Sequence, residues 1–251
     1  MQNVNKFFFI LSLVFFIFPS CDKENDQNTG TLTLNFVAKA NNQPFVVGNK
    51  YTTVDGLNCK FENFKFYISN LRTYQQGSVD TLLDAALINF NNDNPTKSVS
   101  IELPNGSYNG LAFGVGLDSL QNNYDPTIYP SSSPFSSVNG MYWGMAFMYR
   151  FLIIEGAIDT TNDGVDNYVQ PITIHTGKND LYKVIDFNNF PFTIEGGKTT
   201  NINVNFDVNK MFYTASDTIN LKINGITHTS DNYLLAAKVI KNFANSLNVS
   251  Q

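Results

Sequence analysis

The chain has 251 residues, 16 Lys plus Arg against 21 Asp plus Glu, a formal charge of −5, and an aromatic content dominated by 22 Phe and 12 Tyr. Its basic residues are scattered, so it lacks the electrostatic footprint for nucleic acid or an anionic lipid surface, and both are excluded as partners. Two cysteines, Cys21 and Cys59, are too few for a disulfide scaffold.

Lys6 and the apolar run from Phe7 to Phe18 fall short of the roughly 20 residues of a membrane span and read as the core of a signal peptide over residues 1–20. Ser20 and Cys21 complete a lipobox-like end, so Cys21 is expected to be the lipid-modified first residue of the mature chain; the competing reading is ordinary cleavage with Cys21 free. Residues 21–30, which hold Asp22-Lys23-Glu24-Asn25-Asp26-Gln27-Asn28, read as a flexible tether. The expected location is the outer membrane, as a lipoprotein facing the periplasm or the surface. The lipid is the only expected membrane contact, because no later apolar run approaches helix-spanning length.

Residues 31–251 form one domain of ordinary size. Turn-rich Asn, Thr and Ser clusters about every ten residues predict an all-β fold, a two-sheet β-sandwich closed by a short C-terminal helix. Alternation of Leu32, Leu34, Phe36 and Ala38 predicts a half-buried strand over Thr31 to Ala38. The parity of the apolar residues switches between Leu57-x-Cys59-x-Phe61 and Phe64-x-Phe66-x-Ile68, which predicts a bulge near Glu62-Asn63. Cys59 lies among alternating apolar neighbours and reads as a buried, inert thiol, a copper thiolate being the alternative. Further strands are expected over Phe64 to Tyr74, Val99 to Leu103 and Tyr108 to Gly116, the last with close backbone approach at Gly114-Val115-Gly116.

Ser119 to Gly140, with Pro126, Pro130, Pro134 and three consecutive serines, reads as a long loop able to cover the segment that follows it. That segment, Gly140 to Gly156, holds the only tryptophan and three of the five methionines. At extended spacing Met141, Trp143, Met145 and Phe147 share one face. Later strands are expected over Tyr149 to Ile158, Asn167 to Thr176, Tyr182 to Phe187, Phe192 to Glu195, the run from Thr200 through Val208, and Thr218 to Asn224. Leu235, Val239, Phe243 and Leu247 recur at helical spacing, with Ser230 or Asp231 available as N-cap.

Only His175 and His228 could give imidazole ligands. His175 is out of phase with Ile172 and Ile174, so it should point away from the core that they face. Reduced copper accepts imidazole and thioether, which makes His175, His228, Met141 and Met145 compatible ligands, although Trp143 and the methionines equally suit ordinary packing. Asp159 to Asn167 has the look of a partial calcium loop but lacks a closing Glu, since Gln170 stands there, and a plain Asp-Gly turn is the simpler reading.

Met141-Tyr142-Trp143, Tyr149, Glu155-Gly156 and His175-Thr176-Gly177 resemble the MbnP family of exported copper-associated proteins, with its Met-aromatic-Trp-x-Trp-x-x-Gly-Tyr run ending in Glu-Gly and followed by His-x-Gly. The resemblance extends to Phe66 to Leu71, Leu103 to Tyr108 and Phe113 to Asp118. It departs at Met145, which replaces the second Trp, and at Met148, which replaces the Gly. It implies copper bound by two histidines, and a tryptophan, here Trp143, oxidised to kynurenine by a dihaem peroxidase-like partner. No hydrolase, metalloprotease or phosphate-loop motif is present, so a binding role and not an enzyme is expected. The alternative is a metal-free surface adhesion or ligand-binding sandwich that uses Tyr124, Tyr129 and Phe135 of the 119–140 loop for contact.

Overall fold

The structure, a computed structural model, describes residues 28–75, 78–91, 93–161, 163–215 and 217–251. The expected signal peptide, Cys21 and the tether before Asn28 lie outside them. In chain order the strands are β1 (Thr29–Ala40), β2 (Gln43–Pro44), β3 (Lys50–Thr52), β4 (Asn58–Gln75) and β5 (Ser78–Asn89). Then come β6 (Thr96–Pro104), β7 (Gly106–Tyr108), β8 (Gly110–Val115), β9 (Arg150–Asp159) and β10 (Tyr168–Gly177). The last are β11 (Lys183–Phe187), β12 (Phe192–Ile194), β13 (Thr199–Asp207), β14 (Ile226–Thr227) and β15 (Asn248–Ser250), with helix α1 (Tyr233–Ser246) between the final two.

Two sheets make the expected sandwich. One runs β15-β13-β1-β2 with β6 also on β1; the other runs β11-β8-β4-β9-β10-β14 with β3 and β5 also on β4. A small two-stranded antiparallel sheet pairs β7 with β12. The two strands with the clearest alternation, β1 and β13, lie side by side in parallel, with Leu34 opposite Ile202 and Phe36 opposite Val204. Their buried residues meet those of β4 across the sandwich: Phe66 packs against Phe36, Phe90, Phe206 and Phe243, the last at 4.8 Å between centroids. Aromatic pairs of this edge-to-face and stacked geometry are the main material of the core.

The bulge is where the parity change places it, between Phe61 and Asn63 in the pairing of β4 with β9. Gly156 sits opposite that bulge, where a Cβ would come within 2.1 Å of the Lys60 carbonyl oxygen, so only glycine fits. Gly114 is the expected close approach: the ring of Tyr182 fills the space that a side chain would need. Cys59 is fully buried and free, and burial pushes its thiol up to about 12, with Asp55 adding to the effect, as suits an inert core cysteine.

One strand is added to the expected set and two expectations are corrected. β5 has no strand pattern in its sequence: Ala85 and Ile88 are buried three positions apart, so its apolar residues do not alternate. Thr218 to Asn224 is not a strand beyond a single bridge from Thr218 to Tyr213; Ile219 and Leu221 are buried, but the Asn220 side chain accepts from the Lys222 amide and coils the chain. The N-cap of α1 is Asn232, whose side chain accepts from the Leu235 amide at 3.2 Å. Among the described residues no helix is long and apolar enough to cross a membrane.

Candidate metal centre

The two histidines, 53 positions apart in sequence, meet at one end of the larger sheet. β14 pairs in parallel with β10, Ile226 opposite Thr173 and Thr227 opposite Ile174, so the next step of the register sets His228 beside His175. The ring centroids are 5.1 Å apart at an interplanar angle of 76°. Trp143 completes the cluster, its indole 5.4 Å from His175 and 5.7 Å from His228.

Each imidazole is held by a carboxylate through one nitrogen. His175 Nε2 lies 2.6 Å from Glu155 Oε1, and Glu155 Oε2 accepts from Asn63 Nδ2 at 2.6 Å. Glu155 is opposite Thr173 on the antiparallel β9–β10 pair, which makes it the diagonal neighbour of His175 on the same face. The bulge in β4 brings Asn63 opposite Glu155, so a parity change visible in the sequence ends up orienting a ring. His228 Nδ1 lies 2.8 Å from Asp231 Oδ2, while Asp231 Oδ1 accepts from the His228 amide at 2.7 Å.

The remaining nitrogens are His175 Nδ1, which is buried and has no hydrogen-bond partner, and His228 Nε2. A buried nitrogen without a partner is costly unless something occupies it. With an imidazole–metal bond of about 2.0–2.1 Å and a ring nitrogen about 1.1 Å from its centroid, two imidazoles sharing one ion at a roughly tetrahedral angle have centroids about 5.2 Å apart. The observed 5.1 Å fits that separation. A metal-ligating histidine whose second nitrogen is held by a carboxylate is the usual outer-shell arrangement, and both rings have it.

The electrostatics favour a neutral His175 ring. Burial lowers the His175 pKa; the hydrogen bond to Glu155 opposes this, and the guanidinium of Arg150 and then His228 reinforce it. For Glu155 burial pulls upward, but the bonds from Asn63 and His175 and the charges of His175 and Arg150 outweigh it, so its carboxyl titrates below its usual range. Although Glu155 and His175 are close enough for an ion pair, the imidazole is therefore a neutral donor to an ionised carboxylate, with the Nδ1 lone pair available to a ligand. Arg150 also lies over the indole of Trp143, 4.5 Å from the ring centroid, and its Nη1 donates to the Gly140 carbonyl at 2.8 Å.

His175 does point away from the face of Ile172 and Ile174, yet it is only 5 % exposed, because the Trp143 hairpin and the His228 loop cover it. Residues 141–148 are not an extended strand. Tyr142 bridges to Tyr149, the Trp143 amide donates to the Met148 carbonyl at 2.8 Å, and the Phe147 and Met148 amides both donate to Gly144, which closes a tight hairpin. The expected common face of Met141, Trp143, Met145 and Phe147 is thereby overturned: Met141 is wholly buried in the core and Met145 is 85 % exposed at the turn. Met148 has φ 56, a left-handed conformation that costs a Met and suits a Gly, which accounts for the Gly of the family pattern at this position.

The aromatic rings of the 119–140 loop are turned largely inward. Phe135 is buried and Tyr124 and Tyr129 are half-buried, the three rings packing on one another at 5.1–5.9 Å and Phe135 on Tyr149. The loop is instead a support for the Trp143 hairpin: Asn122 Oδ1 accepts the Tyr149 amide and Tyr149 Oη donates to the Phe135 carbonyl. The Asp159 loop uses its own carboxylates, Asp159 accepting from Thr161 and Asn167 and Asp166 pairing with Lys50, as a turn does. Among the described residues no cluster of three or more His, Cys, Asp and Glu could hold a metal ion.

Comparison with known proteins places the chain in a family and a fold. Residues 29–232 match the MbnP family, which covers most of the chain, and the chain belongs to that family. No curated protein matches the sequence. Among solved structures it is similar to MbnP from Methylosinus trichosporium at 19% identity, with a TM-score of 0.52 over 76% of this chain and 80% of that one, a likeness in fold.

Proposed function

We propose that this MbnP family member binds copper through His175 Nδ1 and His228 Nε2, with the indole of Trp143 against the ion, and serves in copper capture or handling and not in turnover. The observation that carries the reading is the 5.1 Å approach of the two rings, each with one nitrogen tied to a carboxylate and one left over. Bound there, copper would supply a soft, redox-active centre, and imidazole suits it. The protein's part is to orient both rings, which Glu155 and Asp231 do, and to bury His175 so that its imidazole stays neutral, which the hairpin does.

Export with a lipid on Cys21, and oxidation of Trp143 by a dihaem peroxidase-like partner, belong to the same reading as proposals. Intact mass of protein purified from its own membranes tests both, through the lipid increment and the increment for conversion of Trp to kynurenine. The central test is titration of the metal-free protein with cuprous ion against a competing chelator, with wild type, His175→Ala and His228→Ala side by side. Loss of binding in both variants is expected; equal affinity in all three proteins would refute the assignment.

A further inference from the structure

Thr229, directly after His228, has φ 65 and is 2 % exposed. A β-branched residue in the left-handed region is a real outlier, and Gly or Asn would take that conformation at far lower cost. Strain of this kind persists where the surroundings over-determine it, and it gathers at functional sites. The surroundings here are specific. The Thr229 hydroxyl donates to the carbonyl oxygen of His175 at 2.8 Å, and its amide donates to Thr227 Oγ1 at 3.1 Å. Thr227 in turn donates to the Asn232 carbonyl at 2.8 Å.

The pairing of β14 with β10 ends at Thr227, one residue short of His228. Ladder hydrogen bonds therefore do not fix the second ring, and α1 begins only a few residues later. The Thr229 hydroxyl is the tie that continues the pairing past its last ladder position, and it reaches the very residue whose imidazole faces His228.

We propose that Thr229 is the positioning residue of the imidazole pair: it clamps the loop that carries His228 to the strand that carries His175 and so sets the separation of the two rings. This rests on the copper reading for its purpose but on the strained backbone and the 2.8 Å bond for its geometry. Removing an outer-shell support of this kind lowers metal affinity by roughly 10-fold.

The experiment uses the full chain with Thr229→Ser, Thr229→Val and Thr229→Gly. Serine keeps the hydroxyl, valine keeps the shape without it, and glycine relieves the backbone strain without it, so glycine guards against a valine variant that fails to fold. Cuprous ion is titrated against a chelator, and in the metal-free proteins nuclear Overhauser contacts are recorded between the Trp143 indole and the His228 ring. The expected result is near-wild-type affinity and contacts for serine, with roughly 10-fold weaker binding and lost contacts for valine and glycine, whatever the change in thermal midpoint. Wild-type affinity and intact contacts in both hydroxyl-free variants would overturn the proposal. If wild type takes up no copper, the copper reading fails on its own and the contacts alone decide the role of Thr229: their loss in the glycine variant upholds it, and their persistence overturns it.

Discussion

Replacing Glu155 tests whether the outer carboxylate controls the metal-facing nitrogen. Glu155 Oε1 is 2.6 Å from His175 Nε2, and that bond keeps the ring proton on Nε2 and the lone pair on Nδ1. Without it the two neutral tautomers come closer to balance, a factor of about 2, and the ring also gains freedom to turn and loses basicity, which together reach 10- to 100-fold in metal affinity. The Glu155 side chain is 36% exposed, so the lower end applies. We expect Glu155→Leu to weaken cuprous binding by about 10-fold, or about 1.4 kcal/mol. Glu155→Gln, which can still accept from Nε2, should lose less. The assay is anaerobic competition with a chromogenic chelator, with the urea midpoint of each variant recorded to separate folding from binding. Affinity within about twofold of wild type for Glu155→Leu, in a protein where His175→Ala abolishes binding, would refute the tautomer argument.

The pH dependence of stability follows from the lowered pKa of His175. In the unfolded chain the imidazole takes a proton as pH falls through about 6.5, whereas the buried ring does so only at lower pH, so the unfolded state binds more protons and stability is lost as pH drops below about 6.5 toward the folded value. His175→Gln should flatten the urea-midpoint curve in that window, and parallel curves for the two proteins would count against a neutral buried ring. Met141→Ala should cost about 2–5 kcal/mol by opening a core cavity, while Met145→Ala should stay within about 0.5 kcal/mol, both read by urea unfolding. A similar cost for both would contradict their placement. Phe66→Ala, at the meeting point of rings from both sheets and the helix, should cost about 3–5 kcal/mol, and a loss below about 1 kcal/mol would mean that the ring cluster is not the core.

How much of this was legible in the sequence depends on the range over which each signal acts. The alternation of β1 and β13, the bulge near Asn63 and the spacing of α1 are local, and the residues announce them. β5 was hidden because its buried residues do not alternate, and Thr218 to Asn224 was misread because two buried residues at strand spacing also suit a coiled turn. In the Trp143 segment, alternation suggested a flat strand, and only the glycine at Gly144 (φ 104) and the family's Gly at the position of Met148 hinted at a hairpin. The histidines could be named as candidates, but Glu155 and Asp231 could not be assigned as their partners. Glu155 reaches His175 through a diagonal between strands, a long-range relation without a trace in spacing; the three-residue step from His228 to Asp231 was visible, yet it read as a helix cap.

The siting of the rings also explains why so weak a pairing carries so much. β14 is two residues long, and an isolated pairing of that length adds little stability. It persists because its neighbours are fixed: Thr227 is fully buried, and Ile219 and Leu221, just upstream, are part of the core. The core thus delivers the chain to the edge of β10, the two-residue pairing sets the direction, and Thr229 sets the last step. Stability elsewhere in the molecule holds a strained residue in place, and the strained residue holds the second imidazole. A substitution that loosens this edge, such as Leu221→Ala, should therefore weaken metal binding as well as folding, although Leu221 is no ligand. Undiminished cuprous affinity in a folded Leu221→Ala protein would show that the ring pair is held by its own loop alone.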